Sequence, residues 1–345
     1  MHSQTNSSNR QVVLKSRPTD IPQAEHFEIV EAPIPAISDG EVLIRNIYLS
    51  VEPAMRGWVS AVANYSEPVP LGGVMRSLTV GEVVQSLHPD FRVGDFVTGM
   101  FGWQDYAAVN GSSVQRKLES DGLPISTALG ILGINGVTAY FGLGDVGQPK
   151  SGDTVVVSTA AGAVGSCVGQ LAKIQGCRTV GITGGPDKVK LCREVFQYDE
   201  AIDYRSEDVD TALAKACPNG VDVYFDNTCG PISDAAMKHI NVGARIVLCG
   251  TAAITNWDPI PLGPRVQRQL LVKRARMQGF LVFDYANRYG EAISALTPWI
   301  RDGKLRYRED ILEGIDKAPD AIASLYRGDN LGKRLIRIAP DPGAR

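Results

Sequence analysis

Residues 154–165 read TVVVSTAAGAVG: a short apolar run followed by small residues and two glycines, Gly162 and Gly165. The run predicts a buried β-strand, and the apolar, small-residue stretch after it predicts a helix. Between them, Ala160-Ala161-Gly162-Ala163-Val164-Gly165 is the G-x-G-x-x-G dinucleotide fingerprint with its first glycine replaced by Ala160. Gly162 would let the backbone approach a pyrophosphate, and Gly165 would let the helix pack tightly on the strand. The free N–H groups of the helix N-terminus, with their partial positive charge, would then face the phosphates. The next predicted strand decides which dinucleotide fits. An Asp or Glu about 20 residues past the glycines would hold a ribose 2′-hydroxyl. Here that strand ends Gly181-Ile182-Thr183-Gly184-Gly185, without a carboxylate, and Lys188 follows one turn into the next helix. A lysine attracts a 2′-phosphate that a carboxylate would repel. The expected cofactor is NADPH.

The other residues able to do chemistry argue against a metal. The six cysteines, Cys167, Cys177, Cys192, Cys217, Cys229 and Cys249, include no C-x-x-C pair, and there are only four histidines. A protein zinc site needs close ligand pairs joined by further His or Cys. No metal site is expected, and the thiols read as reduced side chains packed in or near a core.

The elements that must position this chemistry change character along the chain. Residues 11–120 are rich in short apolar stretches broken by Pro and Gly, such as 41–51 and 79–85, with 91–99 a turn entering a strand. They predict a small β-domain. From about residue 125, apolar residues at helical spacing (127–143) lead into alternating elements. Strands are expected at 154–158, 178–183, 221–226 and 245–249, and helices at 162–175 and 186–195. Such alternation means βαβ units and a parallel sheet. The last apolar alternation, 333–339, could pair with the first domain. The fold class is therefore α/β, a parallel sheet of Rossmann type following a β-rich domain.

With 345 residues, two domains are the default. Apolar residues make up 44% and the net charge is −3, so no electrostatic case exists for nucleic acid or an anionic membrane. No apolar run reaches 18 residues. The first ten residues are polar and resemble no secretory signal, so a cytoplasmic location is expected.

Several separated strings resemble, in order, the medium-chain dehydrogenase/reductase superfamily. The match is to the zinc-free branch of prostaglandin reductases (leukotriene hydroxydehydrogenases), plant double-bond reductases and bacterial curcumin reductases. The strings are LSVEPAMRGW (49–58), GINGVTAYFGL (133–143), AAGAVGSCVGQ (160–170), Asp226-Asn227, Cys249-Gly250, Gln278-Gly279-Phe280 and Asp329-Asn330-Leu331-Gly332-Lys333. The resemblance spans about residues 10–340. It implies a GroES-like catalytic domain (1–128 and 299–345) with the Rossmann domain (129–298) inserted. It places Gly162, Ala163, Val164 and Gly165 at the pyrophosphate and Lys188 at the 2′-phosphate. Tyr204 falls beside the adenosine end and Asn227 at the middle of the cofactor. Cys249 and Gly250 pass the nicotinamide ribose. Phe280, Leu281 and Val282 offer backbone to the carboxamide, and Asn330 is a late contact near the nicotinamide. Homodimers are common in the family.

The expected activity is NADPH-dependent reduction of the C=C bond of α,β-unsaturated ketones and aldehydes, an alkenal/enone reductase that adds hydride to the β-carbon. Two departures concern the donor for the oxyanion that then develops. Ala54 stands where many relatives have a substrate-facing tyrosine, and the loop after Cys249-Gly250 has none. The candidates left are Tyr65, Asn256 and the cofactor's own ribose hydroxyl. Met55, Trp58, Trp103 and Trp257, with Tyr65, are expected to line an apolar substrate pocket. An NADPH:quinone oxidoreductase and a low-turnover NADPH-binding protein remain as alternatives.

Overall fold

The computed structural model describes residues 8–61, 66–119, 122–254 and 259–343. The chain divides into two compact units, one formed by 1–129 with 309–345 and the other by 130–308. The sequence reading returned the chain to the first unit at residue 299. The structure moves that point to 309. Residue 299 falls inside a helix, Tyr289–Arg301. Beyond it, Arg306 is still held by the second unit: its N–H donates to Gln170 Oε1 at 2.8 Å, and its carbonyl accepts from Gln170 Nε2 at 2.8 Å.

The first unit begins with a hairpin, β1 (Asn9–Leu14) and β2 (Phe27–Ala32). It continues through β3 (Glu41–Ser50), the four-residue helix α1 (Met55–Trp58), β4 (Thr79–Ser86), β5 (Phe96–Gly99), β6 (Tyr106–Asn110) and β7 (Val114–Lys117). After the inserted unit come β14 (Glu309–Glu313), α9 (Ala318–Arg327) and β15 (Lys333–Arg337). The larger sheet has the order β14-β15-β3-β4-β5-β7, with β6 also on β3. The last strand therefore joins the first unit as expected, antiparallel to β3. Its apolar core gathers Val12, Leu14, Phe27, Leu49, Met55, Trp103 and Ile322.

The second unit carries α2 (Ile134–Phe141), β8 (Thr154–Ser158), α3 (Ala163–Ile174), β9 (Arg178–Thr183), α4 (Pro186–Glu194), β10 (Glu200–Asp203) and α5 (Val209–Ala216). It continues with β11 (Val221–Asp226), α6 (Gly230–Ala236), β12 (Ile240–Leu248), α7 (Gln267–Lys273), β13 (Arg276–Gly279) and α8 (Tyr289–Arg301). Its six strands run in the order β10-β9-β8-β11-β12-β13, every neighbouring pair parallel. Counted from β8, that is the 3-2-1-4-5-6 order of a Rossmann sheet. The order reverses between β8 and β11, where such sheets open a crevice at their carboxyl ends.

Two elements differ from expectation. The apolar stretch 127–143 is not one helix. A 3-10 turn at Ile125–Leu129 precedes α2, and Gly136 approaches so closely that a Cβ there would lie 1.9 Å from the Ile131 carbonyl oxygen. β12 starts at Ile240 rather than 245. Its first half, with Val242 61% exposed and Gly243 at φ 78°, has no buried alternation to betray it.

Candidate cofactor site in the Rossmann unit

The valines of β8 are fully buried, so the strand is pinned and its carboxyl end presents a fixed turn. Thr159 takes the left-handed region at φ 54°, and Gly162 N–H closes the turn on the Thr159 carbonyl at 2.9 Å. Gly162 is the N-cap of α3 and supplies no side-chain cap. The first amides of the helix are therefore left for an outside acceptor. Gly162, Ala163 and Val164 are half-buried while Gly165 is buried. A Cβ at Gly165 would lie 2.3 Å from the Thr159 carbonyl oxygen. Only glycine lets the helix approach this closely.

The replaced first glycine has a structural answer. Ala160 is fully buried, and its methyl carbon would lie 2.7 Å from a Cβ on Gly181 of β9. The glycine that the fingerprint lacks at 160 is matched by one at 181, which leaves room for the methyl. A lone glycine inside the strand pattern Val180-Gly181-Ile182 was the sequence signal for this close approach.

At the end of β9, Gly184 lies against the Tyr204 ring, which a Cβ would meet at 2.9 Å, and Gly185 turns at φ 92° into α4. Tyr204 itself is 43% exposed, and Lys188 is half-buried in the first turn of α4. The structure adds a carboxylate that the sequence reading missed, Asp203 at the end of β10. Its Oδ1 accepts from the amides of Gly185 at 2.8 Å and Arg205 at 3.0 Å. Burial works against its charge, but those amides outweigh it and hold the carboxyl below the ordinary range. Asp203 is thus occupied in shaping the turn.

β11 ends in a second hub. Asp226 is fully buried, and its Oδ1 accepts from Tyr224 Oη, Ser158 Oγ, Thr228 Oγ1 and the amides of Thr228 and Cys229 at 2.9–3.3 Å. Asn227 ties this strand to β8, donating from its backbone to Ser158 Oγ at 2.8 Å and from Nδ2 to the Ser158 carbonyl at 2.7 Å. The amides of Cys249 and Gly250 donate to the Asp226 carbonyl at 2.8 and 3.1 Å. A Cβ at Gly250 would sit 2.9 Å from the Asn227 carbonyl oxygen. Burial pushes the Cys249 thiol up to about 12, so it stays neutral. Ser158, Asn227, Cys249 and Gly250 therefore form one bonded rim at the switch point.

Phe280 follows β13 and packs where a Cβ on Gly142 would meet its ring at 2.6 Å; Leu281 is 39% exposed and Val282 half-buried. Asn330 belongs to the first unit, where its Nδ2 donates to the Gly332 carbonyl at 2.7 Å. Tyr65, Asn256 and Trp257 lie outside the described residues. Three of the pocket candidates are buried in the first unit. Met55 and Trp103 are fully buried and Trp58 is 4% exposed, all in the apolar core of the first unit. Trp103 donates to the Ser50 carbonyl at 3.1 Å, and the Arg76 guanidinium lies 5.7 Å from the Trp58 ring centre. These side chains pack in the core of the first unit. Their aromatic and apolar character, which suggested a pocket, serves packing equally well.

The residues of the second unit fit a phosphorylated dinucleotide. An uncapped twelve-residue helix stands at the sheet's switch point; the glycine turn after β9 leads to Lys188 and lies against the Tyr204 ring, and the Asp203 carboxylate beside it is bonded to backbone amides. Among the described residues, no group of three or more His, Cys, Asp or Glu side chains is placed to hold a metal ion.

Residues 10–116 match the family described as the N-terminal domain of oxidoreductase, and 163–297 the family described as zinc-binding dehydrogenase. The chain is 42% identical to NADPH-dependent curcumin reductase of Escherichia coli (strain K12), over 98% of this chain and 99% of that one. It is 38% identical to 2-alkenal reductase (NADP(+)-dependent) of Nicotiana tabacum, over 96% and 98%. The crystal structure of CurA in complex with NADPH from Vibrio vulnificus superposes with a TM-score of 0.91 at 44% identity, covering 96% of this chain and 99% of that one. The chain belongs to the medium-chain dehydrogenase/reductase superfamily, in the zinc-free branch that holds the curcumin, alkenal and prostaglandin reductases.

Proposed function

We propose that this protein is an NADPH-dependent oxidoreductase that reduces the C=C bond of α,β-unsaturated ketones and aldehydes. The observation that carries the reading is the uncapped Gly162 turn at the switch point of a 3-2-1-4-5-6 sheet, in a chain 42% identical to an NADPH-dependent curcumin reductase. The nicotinamide cofactor supplies hydride for the β-carbon of the substrate.

The chain's own residues bind, orient and stabilise charge. The amides of Ala163, Val164 and Gly165 take the pyrophosphate. Lys188 takes the 2′-phosphate, and the Tyr204 ring flanks the adenosine end. Asn227, Cys249 and Gly250 line the middle of the cofactor, while the backbone of Phe280, Leu281 and Val282 faces the carboxamide. Asn330 is assigned as a late contact near the nicotinamide. Tyr65 and Asn256 are the donors assigned to the carbonyl oxygen that gains charge as the β-carbon is reduced. One good donor in a dry site contributes about 3–4 kcal/mol. Trp257 remains as a substrate contact.

We assign a reducing, cytoplasmic setting and zinc-independent turnover. All six cysteines are free thiols, four of them buried, which suits a reducing compartment. A homodimer is supported by the second unit's open edge. β13 ends the sheet, and beside it in sequence Leu271 is 77% exposed, Val272 56%, Ile260 79% and Leu262 wholly exposed. An uncovered strand edge with apolar neighbours favours pairing with another chain, and a twofold partner is the commonest.

The test is steady-state oxidation of NADPH by a conjugated enone and by a benzoquinone, before and after dialysis against a strong chelator. Turnover of the enone that survives dialysis is expected. Faster turnover of the quinone, or none of either despite tight NADPH binding, would overturn the assignment.

A further inference from the structure

Two of the sequence strings that mark this chain, LSVEP at 49–53 and DNLGK at 329–333, lie about 280 residues apart and meet at one ammonium group. Lys333, 4% exposed at the start of β15, donates to Ser50 Oγ at 2.7 Å, to the Val51 carbonyl at 3.0 Å and to Glu52 Oε1 at 2.5 Å. Those three acceptors match the three protons of a charged lysine. Ser50 Oγ also donates to Glu52 Oε1 at 2.8 Å, and Ser50 is fully buried. The anchored carboxylate sits where the chain leaves β3. The Glu52 carbonyl accepts from Met55 N–H at 3.1 Å, opening the turn that carries Pro53, Ala54 and α1. On the other side of Lys333, the Asn330 turn is closed on the Gly332 carbonyl, and Leu331 N–H is held by Asp310 at 2.9 Å.

We propose that Lys333 is a positioning residue that fixes the Ala54 turn against the Asn330 turn through its three bonds to Ser50, Val51 and Glu52. The proposal rests on the enone reductase reading for its consequence, since Asn330 is assigned there to the cofactor and position 54 opens the segment leading to Tyr65. Charge alone is not the point. A Lys–Glu pair could be replaced by an uncharged pair of similar volume without leaving a buried ion. Such a pair would still lack the bonds to Ser50 Oγ and the Val51 carbonyl, and those aim the turn.

The experiment compares Lys333→Met, which takes the ammonium away from Glu52, with the double variant Lys333→Met/Glu52→Gln, which removes both charges. Lys333→Met should lower the unfolding midpoint, and the double variant should recover most of it. The double variant should nevertheless keep a KM for the enone raised about tenfold, with kcat within about threefold of the parent. Amide hydrogen exchange of the unliganded double variant should show faster exchange in peptides covering 50–60 and 328–334 and unchanged exchange in the second unit. A double variant that regains both stability and the parental KM would reduce Lys333 to a charge partner and overturn the proposal, as would unchanged exchange in both segments. A parent protein without enone turnover would instead sink the functional reading, and the exchange result would then decide the anchor by itself.

Discussion

Lys188 is the side chain to which we assign the choice of cofactor. β9 ends on Thr183 and two glycines, and the nearby carboxylate of Asp203 is occupied by two backbone amides. A hydrogen bond to a charged group is worth about 1.5–3 kcal/mol, and a half-buried lysine falls toward the lower end because solvent screens it. Lys188→Ala should therefore raise the KM for NADPH about tenfold and leave that for NADH unchanged. Equal KM values for the two cofactors in the parent would contradict the assignment. Tyr65 is the residue we propose as donor to the oxyanion. Loss of a donor used only in the transition state costs about 10²–10³-fold. With Asn256 sharing the work, Tyr65→Phe should cut kcat and kcat/KM together by roughly ten- to a hundredfold. An unchanged kcat on a good enone would remove Tyr65 from the mechanism. The signals for these two residues differ in kind. Lys188 follows from a missing carboxylate and a charge at a set distance from a strand end. Tyr65 rests on resemblance.

At the level of elements, the pyrophosphate turn depends on how close α3 and β9 can come to the end of β8. The fingerprint lacks its first glycine, and Gly181 leaves room for the Ala160 methyl. The pair should therefore be coupled. Gly181→Ala alone overpacks the turn and should destabilise the protein by about 1–3 kcal/mol. Adding Ala160→Gly should recover most of that loss and restore NADPH affinity, because it moves the methyl back. Denaturant midpoints and NADPH titrations on the two single variants and the double variant would check this. Strictly additive effects would mean that the two positions do not share the space. The strand–turn–helix alternation was readable from residue types, since β8, β9 and β11 fall where their apolar runs lie. β10 and β13 were not readable, being four residues each and partly exposed at the sheet's edges.

At the level of the molecule, the open edge at β13 sets the fourth prediction. Light scattering should show a dimer at micromolar concentration, and Leu271→Glu should shift it to monomer while its far-ultraviolet dichroism stays that of the parent. A monomeric parent would refute the assembly. The sequence by itself determined the α/β class, the parallel sheet, the dinucleotide turn and the absence of a carboxylate in the residues that end β9. All of these are local: they depend on residue types a few positions apart and on the period of their burial. Tertiary structure alone decided what depended on distant partners. Met55, Trp58 and Trp103 have the composition of a pocket, and only packing against Phe27, Val12 and Ile322 makes them core. The chain's return to the first unit moved from 299 to 309 because Gln170, far back in α3, holds Arg306. Nothing in the residues around Lys333 or Glu52 marks the two as partners. Their burial together at the root of two turns follows from β15 pairing with β3, a contact across almost the whole chain that no local spacing encodes.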